Sequence, residues 1–416
     1  MRRLKTKRLF FCALLTIFGT FLLRSFQRSM SVPRESIPAG ASAEKTGQAF
    51  SWSVLFLSTK NISVALKTKS KSNNEKEAIP NVGYPVVPRH NYIPNYFTRL
   101  SDEARRSLAG RKIAISYLHH QKCAGMNMRL CMIKIARNVS YLSPRLIWDG
   151  SVVSYYEKRI SENFAPDDRM MFYGDAAFGV CDIKRDGEPC SYFTILRDPY
   201  DRIVSAYEYC IAVHSRDPIC SLWNVENITL EEFAMHTGSH LFAQLLYNVD
   251  ICEMTLSNSQ ELKTVGEQDD IDKTKRLFCW YNHKAYIDYH LSATAKQTLL
   301  DYVVGNLEMW FMVIGMADEY GLTLQMLEAA YGIPFAKECM GETENINKER
   351  TSNNIRAEYR NRLLSDKRVR EALYYDEKIY EESLSIFNRQ KQIFLEDLLK
   401  VKDDNLYNEY RNLSNR

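Results

Sequence analysis

Residues Tyr192 to Tyr207 run Tyr-Phe-Thr-Ile-Leu-Arg-Asp-Pro-Tyr-Asp-Arg-Ile-Val-Ser-Ala-Tyr, an apolar strand pattern that stops at Arg-Asp-Pro and gives way to an amphipathic helix. A strand leading straight into a helix is half of a strand-helix-strand unit, which constrains the chain toward a parallel sheet covered by helices. The layout puts Arg197 at a strand end and Ser205 on the following helix. A guanidinium with its fixed fork of donors, joined by a hydroxyl, suits a terminal phosphate monoester better than a sugar or an apolar ligand.

A second unit of the same kind lies upstream. Ile113-Ala-Ile-Ser-Tyr-Leu118 reads as a buried strand, His119 to Gly125 as a short loop, and Met126 to Arg137 as a helix, so Lys122 sits in a strand-loop-helix turn. Backbone amides at such a helix N-terminus, with a lysine in the loop, form a site for phosphate-like oxyanions. Compared with Gly-x-x-x-x-Gly-Lys-Ser/Thr the loop fails, because its lysine precedes the glycine and no Ser or Thr follows to hold magnesium. A magnesium-dependent ATPase is disfavoured.

The remaining pattern extends the alternation. Strands are predicted at 112–118, near 170–173, at 192–196 and over Met309 to Gly315; helices at 126–137, 200–212, 229–247 and Leu322 to Tyr331, the last stopped by Gly332 and Pro334. Val369, Leu373, Tyr380, Leu384 and Phe387, interrupted at Asp376, form an apolar stripe at helical spacing whose ordinary role is to pack on the sheet. The expected class is α/β, with a P-loop-like central parallel sheet flanked by helices. No internal repeat is present.

At 416 residues, 45% hydrophobic and 12% aromatic, the chain can bury one sizeable core. A net charge of +4 without a basic block interleaved with aromatics makes nucleic acid an unsuitable partner. Arg2, Arg3, Lys5, Lys7 and Arg8 precede an apolar run from Leu9 to Leu23. The positive flank predicts a cytoplasmic tail at 1–8, a signal anchor at 9–26 and everything beyond on the lumenal side. Residues 27–110 are Ser-, Lys- and Pro-rich and read as a stem, with Ser51-Trp-Ser-Val-Leu-Phe-Leu57 an apolar exception; residues 111–416 read as the folded domain.

Gln121-Lys-Cys-Ala-Gly-Met-Asn127 and Arg197-Asp-Pro-x-x-Arg-x-x-Ser-x-Tyr207 together resemble the donor motifs of the Golgi carbohydrate sulfotransferases, over roughly residues 111–395. Those enzymes move a sulfuryl group from 3′-phosphoadenosine 5′-phosphosulfate (PAPS) to a sugar hydroxyl. The resemblance implies that Lys122 and the amides of Cys123, Ala124, Gly125, Met126 and Asn127 hold the 5′ end, with Lys122 offsetting charge on the leaving oxygen. It implies that Arg197 and Ser205 hold the 3′ phosphate, that no metal is needed, and that the acceptor is a glycan in the Golgi lumen. Tyrosine sulfation is the other acceptor class left open. Asn345-Ile-Asn-Lys348 and Arg350 resemble a late loop that closes over the nucleotide.

Two departures stand out. Met126 and Asn127 occupy positions where the family usually has hydroxyls, and Phe172-Tyr-Gly-Asp-Ala-Ala-Phe-Gly179 resembles a Gly-His-x-x-Phe-Gly segment with Asp175 in the histidine's place. Asp175 is the expected proton acceptor, with His119 and His120 as alternatives. If these departures abolish turnover, the chain is instead a lumenal glycan-binding or scaffolding protein. Trp280-Tyr-Asn-His283 is a candidate for stacking on sugar rings.

Of ten cysteines, Cys12 lies in the anchor and Cys123 in the donor loop, leaving eight in the domain. In an oxidising lumen these pair, in any of on the order of a hundred ways. Short loops point to Cys181 with Cys190 and Cys210 with Cys220. Sequons at Asn61, Asn138, Asn227 and Asn412 agree with lumenal exposure.

Overall fold

The computed structural model describes residues 80–86, 89, 92–109, 111, 113–138, 145–146, 170–175, 177–183, 189–213, 220, 227–247, 279–340 and 353–414. The expected tail and anchor, most of the stem with its Ser51–Leu57 patch, the loop at 345–350, and Cys12, Asn61 and Cys252 fall outside these residues.

In chain order the elements are α1 (Asp102–Leu108), β1 (Ala114–Leu118), α2 (Gly125–Asn138), β2 (Arg145–Leu146), β3 (Met171–Gly174), α3 (Val180–Ile183), β4 (Cys190–Leu196), α4 (Pro199–Val213), α5 (Leu230–Thr237) and α6 (His240–Leu245). After these come α7 (Cys279–His290), α8 (Ala293–Trp310), β5 (Phe311–Met316), α9 (Tyr320–Tyr331), α10 (Phe335–Cys339), α11 (Asn353–Ser365) and α12 (Lys367–Ser414). The strands form one sheet in the order β2-β3-β1-β4-β5, and every pairing is parallel.

Every residue of β1, β3, β4 and β5 is buried, the continuous pattern of strands covered on both faces. Tyr117 of β1 stacks on Phe193 of β4 with ring centroids 4.8 Å apart. The β5 edge is closed by a side chain: Gln390 of α12 accepts from Ile314 N at 3.1 Å and donates to Ile314 O at 2.8 Å, as a neighbouring strand would. A second cluster of Tyr200, Ile203, Val204, Phe233, Leu363, Val369 and Leu373 packs α4, α5, α11 and α12 together and fixes the pose of α4.

Three boundaries differ from the sequence expectation. Met309 and Trp310 close α8, and β5 begins only at Phe311, where the chain enters the sheet beside Tyr192. The expected helix 229–247 is two helices broken at Gly238 and Ser239; a Cβ on Gly238 would meet Ala372 O at 2.5 Å, and Ser239, at φ 53°, donates its hydroxyl to that same oxygen at 2.6 Å. Close approach of α12 forces the break. Finally, part of the expected stem belongs to the core: Tyr84, Ile93, Phe97 and Leu100 are buried, Ile93 N donates to Cys190 O, and the buried Asn95 amide donates to Gln390.

Both disulfides suggested by short spacing are formed, Cys181–Cys190 and Cys210–Cys220, with Cα atoms 5.5 and 5.0 Å apart. A third, Cys131–Cys339, ties α2 to α10 across the sequence and was not foreseen.

Candidate functional site

From β1 the chain crosses to the edge strand β2, returns to β3 beside β1, then passes over β1 to β4 and on to β5. The strand order therefore reverses between β1 and β4, and a crevice at the carboxyl ends of such neighbours is where open α/β sheets bind ligands. The β1–α2 loop with Lys122 and the β4–α4 junction with Arg197 leave the sheet side by side there. Leu118 pairs with Thr194, and the Thr194 hydroxyl donates to Leu118 O at 3.0 Å just below both loops.

Within the first loop, Lys122 and Ala124 hold left-handed backbone, φ 65° and 59°. Such residues carry strain of about 1–2 kcal/mol each and turn successive N–H groups to one side, a shape that suits an anion. The first turn of α2 adds amides from Gly125, Met126 and Asn127 that have no intrahelical acceptor. Cys123 N does not join them, since it turns back to His120 O at 3.3 Å. Burial pushes the Cys123 thiol up to about 12, so it stays protonated and is no nucleophile. The Met126 side chain is 47% exposed and contributes only its backbone. Asn127 turns a buried Oδ1, an acceptor atom, inward with no hydrogen-bond partner among the described residues.

At the second loop, Asp198 Oδ1 accepts from Tyr200 N and Asp201 N and caps α4, while Oδ2 pairs with Arg360 at 3.0 Å. Capping leaves Arg197 at the strand end, its Nε buried and without a hydrogen-bond partner among the described residues. Arg197 directly follows β4, whose Thr194 pairs with Leu118 at the foot of the first loop; behind the larger effect of burial, the charges of Arg202 and Arg197 favour the Cys123 thiolate. Ser205 is half-buried on α4, and Tyr209 lies one turn on along the same face. The Lys122 ammonium sits 4.0 Å from the Tyr209 ring centroid. Arg202, by contrast, faces inward to Asp376 at 3.7 Å and Thr237 O at 3.2 Å and secures α4 to α12.

Asp175, just past β3, is buried and does not stand alone. Gln121 Nε2 donates to its Oδ2 at 3.1 Å, and His119 Nδ1 lies 3.0 Å from its Oδ1. Gln244 of α6 donates Nε2 to both His119 O and Asp175 O, at 2.9 and 2.8 Å, and meets His120 Nδ1 through Oε1. Burial pushes His120 well below the ordinary histidine range, so it is a neutral strut. Half-buried Tyr380 of α12 faces the same rim, where Asp198, Asp318, Asp201 and Cys123 raise its hydroxyl behind the larger effect of burial.

Lys122, Arg197, Ser205 and Asp175 thus gather at one end of the sheet. Sequence reasoning missed Gln244 and Tyr209, which lie on elements whose docking no local pattern reveals. His283 is fully buried against Tyr84 and cannot stack on a sugar; the side chains of residues 279–282 lie outside those described. No protein-family profile matches the chain, and no curated protein matches it either.

Proposed function

We propose that this protein transfers a sulfuryl group from PAPS to a hydroxyl of a glycan, as a single-pass type II protein of the Golgi membrane with its folded domain in the lumen. One observation carries the reading: the lysine loop and the arginine-serine helix, separate in sequence, meet across the strand-order reversal and touch through Lys122 and Tyr209. Two cationic positions at neighbouring strand ends fit a nucleotide with phosphates at both ends. The buried Arg197 Nε, without a hydrogen-bond partner among the described residues, is the kind of donor that a 3′ phosphate satisfies. The β1–α2 loop then acts as a P-loop-like cradle without the magnesium-binding hydroxyl.

In this reading the nucleotide supplies the activated sulfuryl group. Lys122 offsets negative charge on the departing phosphate oxygen, the first-turn amides of α2 orient the 5′ end, and the Asp175 cluster takes the acceptor proton.

Met126 and Asn127 favour a second reading, a glycan-binding protein that keeps the fold without turnover, since neither offers a hydroxyl to the donor. The two separate on incubating the full chain with PAPS and a panel of glycans. The first reading requires release of 3′-phosphoadenosine 5′-phosphate with sulfate on a glycan; nucleotide binding without release on every glycan supports the second.

A further inference from the structure

We infer that the proton acceptor is His119 through Nε2, and that Asp175 and Gln244 are positioning residues for it; this rests on the sulfuryl-transfer reading. Asp175 lies too deep to meet an acceptor sugar: it is 3% exposed, with Gln121 on one oxygen and His119 against the other. The His119 side chain keeps 19% of its surface open. Nδ1 lies 3.0 Å from Asp175 Oδ1, and donation from Nδ1–H to that oxygen, once aligned, leaves the ring's lone pair on Nε2.

Nε2 points into the donor loop. A Cβ built on Gly125 would lie 1.7 Å from it, so this glycine leaves the space that the ring fills, at the N-terminal end of α2. The ring is held from behind by backbone. His119 N donates to Gly174 O at 3.0 Å, and one Gln244 amide bridges the carbonyls of His119 and Asp175. The approach of Nδ1 to Asp175 Oδ1 is close but off the hydrogen-bond axis, and Oδ1 has no aligned donor among the described residues. Catalytic hydrogen bonds commonly align only once the substrates are in place.

The step balances as follows. The acceptor O–H proton passes to His119 Nε2 while the acceptor oxygen bonds to sulfur. The bond from sulfur to the 5′-phosphate oxygen breaks, and its electron pair leaves with the phosphate beside Lys122. Asp175 stabilises the imidazolium, which returns its proton to solvent.

The test uses the full chain, PAPS, and desulfated heparin with N-acetyllactosamine oligosaccharides as acceptor probes. His119→Ala is expected to lower turnover by ~100-fold or more while binding of 3′-phosphoadenosine 5′-phosphate, by calorimetry, stays within about threefold. Added imidazole restores turnover in that variant. Asp175→Asn and Gln244→Ala lower kcat with little change in KM for PAPS. Diethyl pyrocarbonate, read by peptide mass spectrometry, modifies His119 together with exposed His236 and His290, and the nucleotide product shields His119 alone. Wild-type turnover with His119→Ala fully active, or no modification of His119, overturns the assignment while leaving the transferase reading intact. Wild-type chain that binds the nucleotide but never releases product on these probes overturns both.

Discussion

The Lys122 ammonium lies 4.0 Å from the Tyr209 ring centroid, so the loop after β1 and the third turn of α4 meet through a cation and an aromatic face. This contact joins the β1–α2 loop to α4 and fixes the position of the Lys122 ammonium between them.

Removing the aromatic face releases that lysine. Tyr209→Leu is expected to reduce turnover by roughly 2- to 30-fold, the range of a cation–π contact of about 0.5–2 kcal/mol, while Tyr209→Phe keeps the ring and stays near wild type. Steady-state kinetics with PAPS separates the two; equal losses would show that the phenol hydroxyl matters rather than the ring.

Gly125 is tied to the His119 ring more tightly than to any backbone requirement. Gly125→Ala must push His119 Nε2 away from a Cβ only 1.7 Å distant. Turnover is expected to fall at least as far as in His119→Ala, with helix content unchanged by circular dichroism; an active Gly125→Ala enzyme would show that the ring moves aside without consequence.

Acid is expected to destabilise the fold. Burial holds His283 down to about 3, and His120 and His240 well below the ordinary range. Each therefore binds a proton more readily in the unfolded chain. Their stabilisation is complete above the unfolded histidine value near 6.5 and is lost as pH falls toward the folded values, by roughly 1.4 kcal/mol per pH unit for each group. Thermal melts between pH 7 and 5 should show Tm falling, and His240→Gln should flatten the slope.

The Cys131–Cys339 bridge closes the longest loop of the three disulfides seen. Replacing both cysteines with serine is expected to cost about 2–5 kcal/mol, read as a lowered denaturation midpoint in urea. Loss of the short Cys210–Cys220 bridge should cost less.

Much of the sheet was legible because its strands are apolar along their whole length and separated by helices, which is why 192–196 and 126–137 landed within two residues of the observed bounds. Lys122, Arg197 and Ser205 were legible because strand-loop-helix turns place them without tertiary information. The break at Gly238 was not, since it answers to Ala372 O, far along the chain. Nor was the partnership of Asp175 with His119 and Gln244, which exists only because β3 pairs beside β1 and α6 docks against both. The Cys131–Cys339 pair failed for the same reason: spacing speaks only for short loops.

The most direct test compares two nucleotides on the full chain by calorimetry: 3′-phosphoadenosine 5′-phosphate and adenosine 5′-phosphate, which lacks the 3′ group. Two joined anion pockets require the bisphosphate to bind at least ~10-fold tighter, the worth of one charge-assisted contact of about 1.5–3 kcal/mol, and Arg197→Ala to erase that preference while Lys122→Ala retains it. Equal affinity for the two nucleotides, or a preference that survives in Arg197→Ala, would contradict a site built from these two strand ends.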